Sequence, residues 1–404
     1  MDSHNCLHSK NRKDINHQKQ NQIPSHFKKI YFGTVNVTNS YLDELFIGMQ
    51  WNPNLRSLLM LGTILKGICP NSSPDRVTVK QILEISIWHA LDNISLSEIK
   101  RLKNLTVLRI YSTNIHDLDG ISSLKKLQKL HYSKHRSNFQ PINSRDLRNM
   151  TKSLRVLSFN GNETLKILKD VKYLANLIVL DVSRNKLQGS LWDIRNLEKL
   201  KQLDCSENKI ISLKGIEKMK NLRTLKVSYN RLKHVNVFRY LKNLERLVNF
   251  LCRSNQIETL SGFPGSSLKN LKNMNIQRNE ICGSFDGLRD LKNLAALYCD
   301  RNKFDGSFVG LQNISALKNL GCSNNFFKSF KGLPLNIKDF RFYHCNILRI
   351  RYFDKLSESG DSIKEDAGTS KFFILEKQII CGDNSFFSWY LGDKNILNKL
   401  YDYF

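Results

Sequence analysis

The chain has 404 residues, 41 % hydrophobic and 25 % charged, a balance that excludes a wholly disordered chain and fits a folded protein. The formal charge is +27, with +4 in residues 1–30, −1 in residues 346–404 and +24 in the stretch between, so the excess belongs to the body of the chain. No stretch approaches the roughly 18–20 apolar residues of a membrane-spanning helix, and the polar opening Met1–Gln22 does not read as a signal peptide.

In chain order, residues 1–26 are rich in Asn, Gln, His, Lys and Ser without apolar period, and read as a disordered polar and basic tail. The spacing of His4, His8, His17 and His26 matches no tight metal site. Residues 27–95 read as degenerate early repeats and an N-terminal cap, with strands over Phe27–Phe32, Leu55–Leu61 and Ile82–Ile87 and a loop over Ile68–Asp75.

Residues 96–348 form a regular array. Its clearest stretch speaks one sentence three times: Leu177-Ile-Val-Leu180-Asp-Val182-Ser-Arg-Asn185-Lys-Leu187, then Leu200 to Ile210 around Asn208, then Leu222 to Leu232 around Asn230. Each copy fits L-x-x-L-x-L-x-x-N-x-L, and the asparagines step by 23 and then 22 residues. A fixed period of this length marks a solenoid. Leu180 and Val182 alternate with Asp181 and Ser183, which predicts a short strand with one buried face. The asparagine amide, at once donor and acceptor, is expected to satisfy the turn backbone and to stack as a ladder. Asn162, Asn185, Asn208, Asn230, Asn255, Asn279, Asn302 and Asn325 take that position, with Thr113, His135 and Cys345 as variants. From His135 to Asn162 is 27 residues, so that copy is expected to carry an inserted loop. Between Asn230 and Asn255 the register is ambiguous, and Leu247 is taken as the strand opener.

This motif resembles the leucine-rich repeat family. The resemblance implies an α/β repeat solenoid: a horseshoe with a parallel concave sheet and short 3₁₀, helical or irregular convex segments. Leu118-Asp-Gly120-Ile121, Leu213-Lys-Gly215-Ile216 and Phe330-Lys-Gly332-Leu333 are similar to the 22-residue class of the phosphatase-1 regulatory repeat protein and internalins. Gly189-Ser-Leu191, Gly283-Ser-Phe285 and Gly306-Ser-Phe308 resemble the plant-type N-x-L-x-G repeat, whose copies here are 23 residues long. Beyond the array, residues 349–370 read as a charged linker. Residues 371–404, rich in Phe, Tyr and Trp, read as an aromatic C-terminal cap or, more sharply, a partner-binding segment.

Nine cysteines include no C-x-x-C pair, and Cys205, Cys252, Cys299 and Cys322 fall at the inward strand position, as small core hydrophobes would. Reduced thiols and the absent leader point to an intracellular protein, in cytoplasm or nucleus.

Alternation places Arg109, Tyr111, Lys129, His131, Asp181, Ser183, Asp204, Ser206, Lys226, Ser228, Asn273, Asn275 and Gln277 on the concave face. The group richest in interface-forming side chains is Tyr298, Asp300, Arg301, Arg341, Tyr343 and His344, the candidate partner-binding patch. A second candidate is a basic rim of Lys103, Lys125, Lys152, Lys220, Lys269 and Lys292, two residues ahead of the strand-opening leucines. No phosphate loop, H-E-x-x-H or G-x-S-x-G occurs. No catalytic residue, cofactor or metal is therefore expected, and the neighbouring Asp181 and Asp204 read as structural. The expected function is a monomeric, non-catalytic scaffold that binds a protein of unknown identity through its concave face. Two alternatives stay open: nucleic-acid or anionic-surface binding through the lysine rim, and a substrate adaptor of a ubiquitin-ligase-type complex docking through residues 1–60. Compositional drift is an equal explanation of the +27 charge.

Overall fold

The computed structural model describes Lys29–Phe32, Glu84–Trp88 and, apart from breaks such as 112–117, 134–146, 163–166 and 343–344, residues 99–345. The expected strand Leu55–Leu61, the loop Ile68–Asp75, the inserted loop after His135, and the proposed tail, linker and C-terminal cap lie outside the described residues. The strands run in chain order as β1 (Lys29–Phe32), β2 (Glu84–Trp88), β3 (Val107–Tyr111), β4 (Lys129–Ser133), β5 (Val156–Asn160) and β6 (Val179–Asp181). They continue as β7 (Gln188–Ser190), β8 (Gln202–Asp204), β9 (Lys209–Ser212), β10 (Thr224–Lys226), β11 (Asn249–Leu251) and β12 (Asn273–Asn275). The last are β13 (Cys282–Gly283), β14 (Ala296–Tyr298), β15 (Lys303–Phe304), β16 (Asn319–Gly321) and β17 (Asp339–Arg341).

The chain divides into two compact units. In the first, β1 through β6 and then β8 pair as successive parallel neighbours, with Leu108, Leu130, Leu157, Leu180 and Leu203 in one inward row. β1 pairs directly with β2. In the second, β10, β11, β12, β14, β16 and β17 pair in parallel, aligning Leu225, Phe250, Met274, Leu297, Leu320 and Phe340. Both inward rows are buried, and the strand-opening leucines Leu177, Leu200, Leu222, Leu247, Leu271 and Leu294 are each 0 % exposed. Alternation at one strand per rung is what forces this: only every second side chain can leave water.

The opposite edge of each rung turns through 3₁₀ segments such as Ile121–Ser123, Ile216–Lys218, Asp286–Leu288 and Val309–Leu311, with a single α-helical turn at Ile167–Val171. The doubtful rung between Asn230 and Asn255 opens its strand at Leu247, and a longer 3₁₀ segment, Val237–Leu241, takes up the extra length.

The ladder asparagines are buried, from 1 % to 8 % exposed. In the second unit the amides of Asn255, Asn279, Asn302 and Asn325 are shared between rungs. Asn302 Nδ2 donates to Cys299 O at 2.9 Å and across to Ile276 O at 3.0 Å, while its Oδ1 accepts Ile281 N–H at 3.1 Å. Asn279 does the same with Ile276 O, Cys252 O and Ile257 N–H, and Asn325 with Cys322 O, Cys299 O and Phe304 N–H. Cys252 O, Ile276 O and Cys299 O thus each receive two amides, one from their own rung and one from the next, while Cys322 O takes the Asn325 amide and the Cys345 thiol. The residue before each asparagine bends the chain into the left-handed region, φ +54° to +57° at Arg184, Glu207, Tyr229, Ser254, Arg278, Arg301 and Asn324 and +67° at Gly161.

Glycines in the two convex patterns do different jobs. Gly189 and Gly283 adopt φ +76° and +85° with open space around them, so they are there for backbone conformation. At Gly287 and Gly310 an added Cβ would fall 2.6 and 2.3 Å from backbone of the preceding rung, so these are there for close approach, while Gly215 and Gly332 meet both demands, with φ +116° and +84° and backbone 2.4 and 2.3 Å away.

Phenylalanine replaces the aliphatic convex residues towards the end of the second unit. Phe285 stacks on Phe304 and Phe308 on Phe327, each at 4.6 Å between centroids, and the column continues through Phe330, Phe342 and Phe340.

Cys205, Cys252, Cys299 and Cys322 are fully buried free thiols, and Cys345, at the asparagine position, is 6 % exposed. Burial raises the pKa of Cys252, Cys299 and Cys322 and pushes Cys345 up to about 12. A soluble disulfide reagent at pH 8 is therefore expected to label Cys282, which is exposed, and to leave these five unmodified until the chain is unfolded. Mass mapping of the labelled peptides checks this; rapid native labelling of Cys299 or Cys322 would contradict the packing.

Candidate functional site

The open face of each sheet is built from the residues that alternate with the inward rows. In the first unit Arg109, His131, Ser158, Asp181 and Asp204 lie side by side in register. Arg109 pairs with the largely buried Glu84. Asp181 is saturated: Ser158 Oγ and Asn160 Nδ2 donate to one oxygen at 3.0 Å each, and Ser183 donates its N–H at 3.0 Å and its Oγ at 2.7 Å to the other. His, Ser and Asp thus sit together without forming a nucleophilic relay, because Ser158 gives its proton to Asp181 and not to the imidazole.

Burial lowers the pKa of His131, and Arg109 and Lys129 lower it further, against smaller raising effects of Asp181 and Glu84. Burial raises that of Tyr111. As pH falls below about 6.5, the unfolded chain takes up a proton that the folded His131 resists, so stability drops until the lower folded pKa is reached. His131→Asn is expected to flatten this acid limb. Thermal melts between pH 7.5 and pH 5 measure it, and parallel curves for the two proteins would contradict the assignment.

In the second unit the central outward row is Lys226, Leu251, Asn275, Tyr298, Gly321 and Arg341. Gly321 is buried beneath Tyr298 and Asp300, since a Cβ there would stand 3.1 Å from Tyr298 Cδ1 and 2.7 Å from Asp300 Oδ2, so its missing side chain lets both pack down onto the strand. Asp300 accepts Ser323 N–H at 2.9 Å and the Gln277 side-chain amide, so its carboxylate orders the strand ends. Of the nominated patch, Tyr298, Asp300 and Arg341 share this face. Arg341 is tied to Asp339 of its own strand at 3.0 Å, and Arg301 is exposed at the left-handed turn position. Tyr343 and His344 lie outside the described residues.

Alternation also hides two features that lie beyond the clear strands. Arg253 follows the inward Cys252, its guanidinium is 5.9 Å from the Tyr229 ring, and its Nε is buried without a hydrogen-bond partner. Tyr229 is itself 46 % exposed. The leucine-flanking asparagines form an edge network: Asn270 and Asn293 donate to the carbonyls of Glu245 and Lys269, and Asn221 accepts from Arg246 at 2.8 Å. The signal for that network, Asn immediately before the strand-opening leucine, is present in the sequence.

Of the basic rim, Lys103 and Lys125 of the first unit line an open groove of about 530 Å³ with Ser122 and Ser123. Lys220, Lys269 and Lys292 of the second unit are exposed, and no ion pair reaches them among the described residues. Lys152 lies outside the described residues. Among the described residues, no group of three or more His, Cys, Asp or Glu could hold a metal ion, and no helix is long and apolar enough to cross a membrane.

No family model matches the chain, and no curated protein matches it. Solved structures do. An internalin of Listeria monocytogenes aligns with TM-score 0.59 and 21 % identity over 75 % of this chain and 89 % of that one. A leucine-rich repeat protein of Leptospira interrogans aligns with TM-score 0.59 and 22 % identity over 80 % and 79 %. PEPR1, from a structure of PEPR1-AtPEP1, aligns with TM-score 0.53 and 22 % identity over 66 % and 42 %. With the strand order and the asparagine ladder, these likenesses make the fold a leucine-rich repeat solenoid.

Proposed function

We propose that this leucine-rich repeat protein is a non-catalytic scaffold that binds a protein partner through the open sheet face of its second unit. The supporting observation is the row from Lys226 to Arg341, where outward side chains are spaced one per rung and the Tyr298 ring, packed over Gly321, stays partly exposed. At about 4.8 Å per rung, such a row offers side-chain contacts in a line that an extended segment can follow. PEPR1, of similar fold, was solved as a complex with AtPEP1. On the open faces Asp181 is saturated by neighbours, Asp300 is bonded at both oxygens, and Glu84 and Asp339 are paired with arginines, which supports a binding role over acid–base chemistry. The free buried thiols support an intracellular setting.

Display selection of peptides on the full chain tests the reading. Peptides so selected are expected to lose about tenfold or more in affinity with Tyr298→Ala or Asn275→Trp, and to be indifferent to Arg289→Ala on the 3₁₀ side. Equal loss with all three, or none, would overturn it.

The unpaired lysines Lys220, Lys269 and Lys292 favour a second reading, a nucleic-acid or anionic surface along the sheet edge. Labelled RNA and duplex DNA titrated across a salt series decide it. Micromolar affinity near physiological salt that falls steeply with salt, and is abolished by reversing these lysines to Glu, would support it. Binding confined to very low salt would remove it. The adaptor alternative rests on residues 1–60, of which only Lys29–Phe32 is described, and no observation favours it.

A further inference from the structure

Resting on the open-face reading, we propose that Arg253, Arg278 and Arg301 form an anchor for an oxyanion, carboxylate or phosphate, carried by an extended protein segment. The three stand on successive rungs of the second unit, at the ends of its strands. Backbone bonds fix their order: Ser254 N–H donates to Gln277 O at 2.8 Å, and Arg278 N–H to Asp300 O at 2.9 Å. Arg253 is thus one rung from Gln277-Arg278, and Arg278 one rung from Asp300-Arg301, all within roughly 10 Å along the sheet.

The case for a ligand is the state of these cations. No ion pair reaches any of the three among the described residues, although Asp286, Glu258 and Glu280 on the 3₁₀ side all have basic partners. Arg253 Nε is buried and without a hydrogen-bond partner, an expensive condition for a guanidinium whose five donors suit bidentate oxyanions. The Tyr229 ring lies 5.9 Å from that guanidinium, within cation–π range. Arg278 and Arg301 are exposed and held in the left-handed conformation, φ +54° and +57°, so their side chains leave rigid turns. The one carboxylate among them, Asp300, is already committed to Ser323 N–H and Gln277.

Fluorescence anisotropy with the full chain at about 150 mM salt provides the test. The probes are a fluorescein-labelled alternating Glu-Ser dodecapeptide, its phosphoserine-Gly counterpart and the neutral Gln-Ser counterpart. The neutral peptide is expected to bind about tenfold or more weaker than the better anionic one, and whichever anionic peptide binds tighter identifies the oxyanion. The triple substitution R253Q/R278Q/R301Q is expected to remove that advantage, while K269Q/K292Q/K318Q, losing the same charge, keeps most of it. Arg253→Lys, which preserves charge and packing, is expected to weaken binding as well and guards against misfolding of the triple. Equal losses from the arginine and lysine triples would mean general attraction to a basic protein and would overturn the proposal. Display-selected peptides that need Tyr298, but are neutral and indifferent to the arginine triple, would overturn it while leaving the open-face reading intact. Absence of any open-face binding would overturn both.

Discussion

Asn302→Ala is expected to cost about 3 kcal/mol, the unmade-bond cost of one buried backbone N–H plus the loss of well-aligned amide bonds. Ile281 N–H donates to Asn302 Oδ1 from a buried site, and alanine leaves it no acceptor. The carbonyls of Ile276 and Cys299 fare better, because each keeps the amide of an adjacent asparagine, Asn279 or Asn325. That sharing gives a sharper expectation. In the double variant Asn279→Ala/Asn302→Ala, Ile276 O loses both donors, so the pair should cost about 1 kcal/mol more than the sum of the singles. Asn230 and Asn302 share no carbonyl and should add. Urea titration of singles and doubles measures both quantities. Strict additivity of the adjacent pair would contradict the shared ladder.

Gly310→Ala is expected to destabilise by a similar amount, about 3 kcal/mol, at the upper end of overpacking costs. The new methyl would lie 2.3 Å from the Phe285 carbonyl carbon and oxygen and 2.7 Å from Asp286 N, all backbone, so no side-chain rotation relieves it. Two stacked rungs would have to part, and the Phe285–Phe308 contact at 5.6 Å lies in the same seam. Gly189→Ala is the control. It meets nothing within 4 Å at φ +76° and should cost about 1–2 kcal/mol from the left-handed backbone alone. If the two substitutions cost the same, close approach of the rungs is not what selects glycine at the convex position.

The solenoid was legible because each rung repeats the same demands: an inward leucine row, a left-handed turn and an asparagine to close it. Even the uncertain rung after Asn230 followed from choosing Leu247, since Asn249–Leu251 begins two residues later, as Gln202 follows Leu200. Variation between rungs was harder to see. That Gly189 serves conformation and Gly310 serves proximity depends on the distance to a neighbouring rung, which no single repeat encodes. The aromatic column depends likewise on which phenylalanines meet across rungs.

The open face shows the same limit. Alternation puts Tyr298 and Arg341 on outward strand positions and Asp300 two residues beyond its strand, but partnership is a property of the folded face. Arg341 proves to be held by Asp339 and Asp300 by Gln277 and Ser323, whereas Arg253, two residues past the strand proper, carries the unsatisfied donor. Charge told least of all. The +24 of residues 31–345 is spread over nearly every rung, and only the pairing of acids with particular lysines distinguishes a free edge from a balanced one.

Site-specific photocrosslinking tests the central claim most directly. A benzophenone amino acid is placed in the full chain at Asn275 on the open face, at Lys269 on the sheet edge, and at Arg289 on the 3₁₀ side. The proposed function predicts a discrete protein adduct from position 275 that is lost with Tyr298→Ala, and little from position 289. Adducts formed only from positions 269 or 289, or adducts to nucleic acid in place of protein, would contradict it.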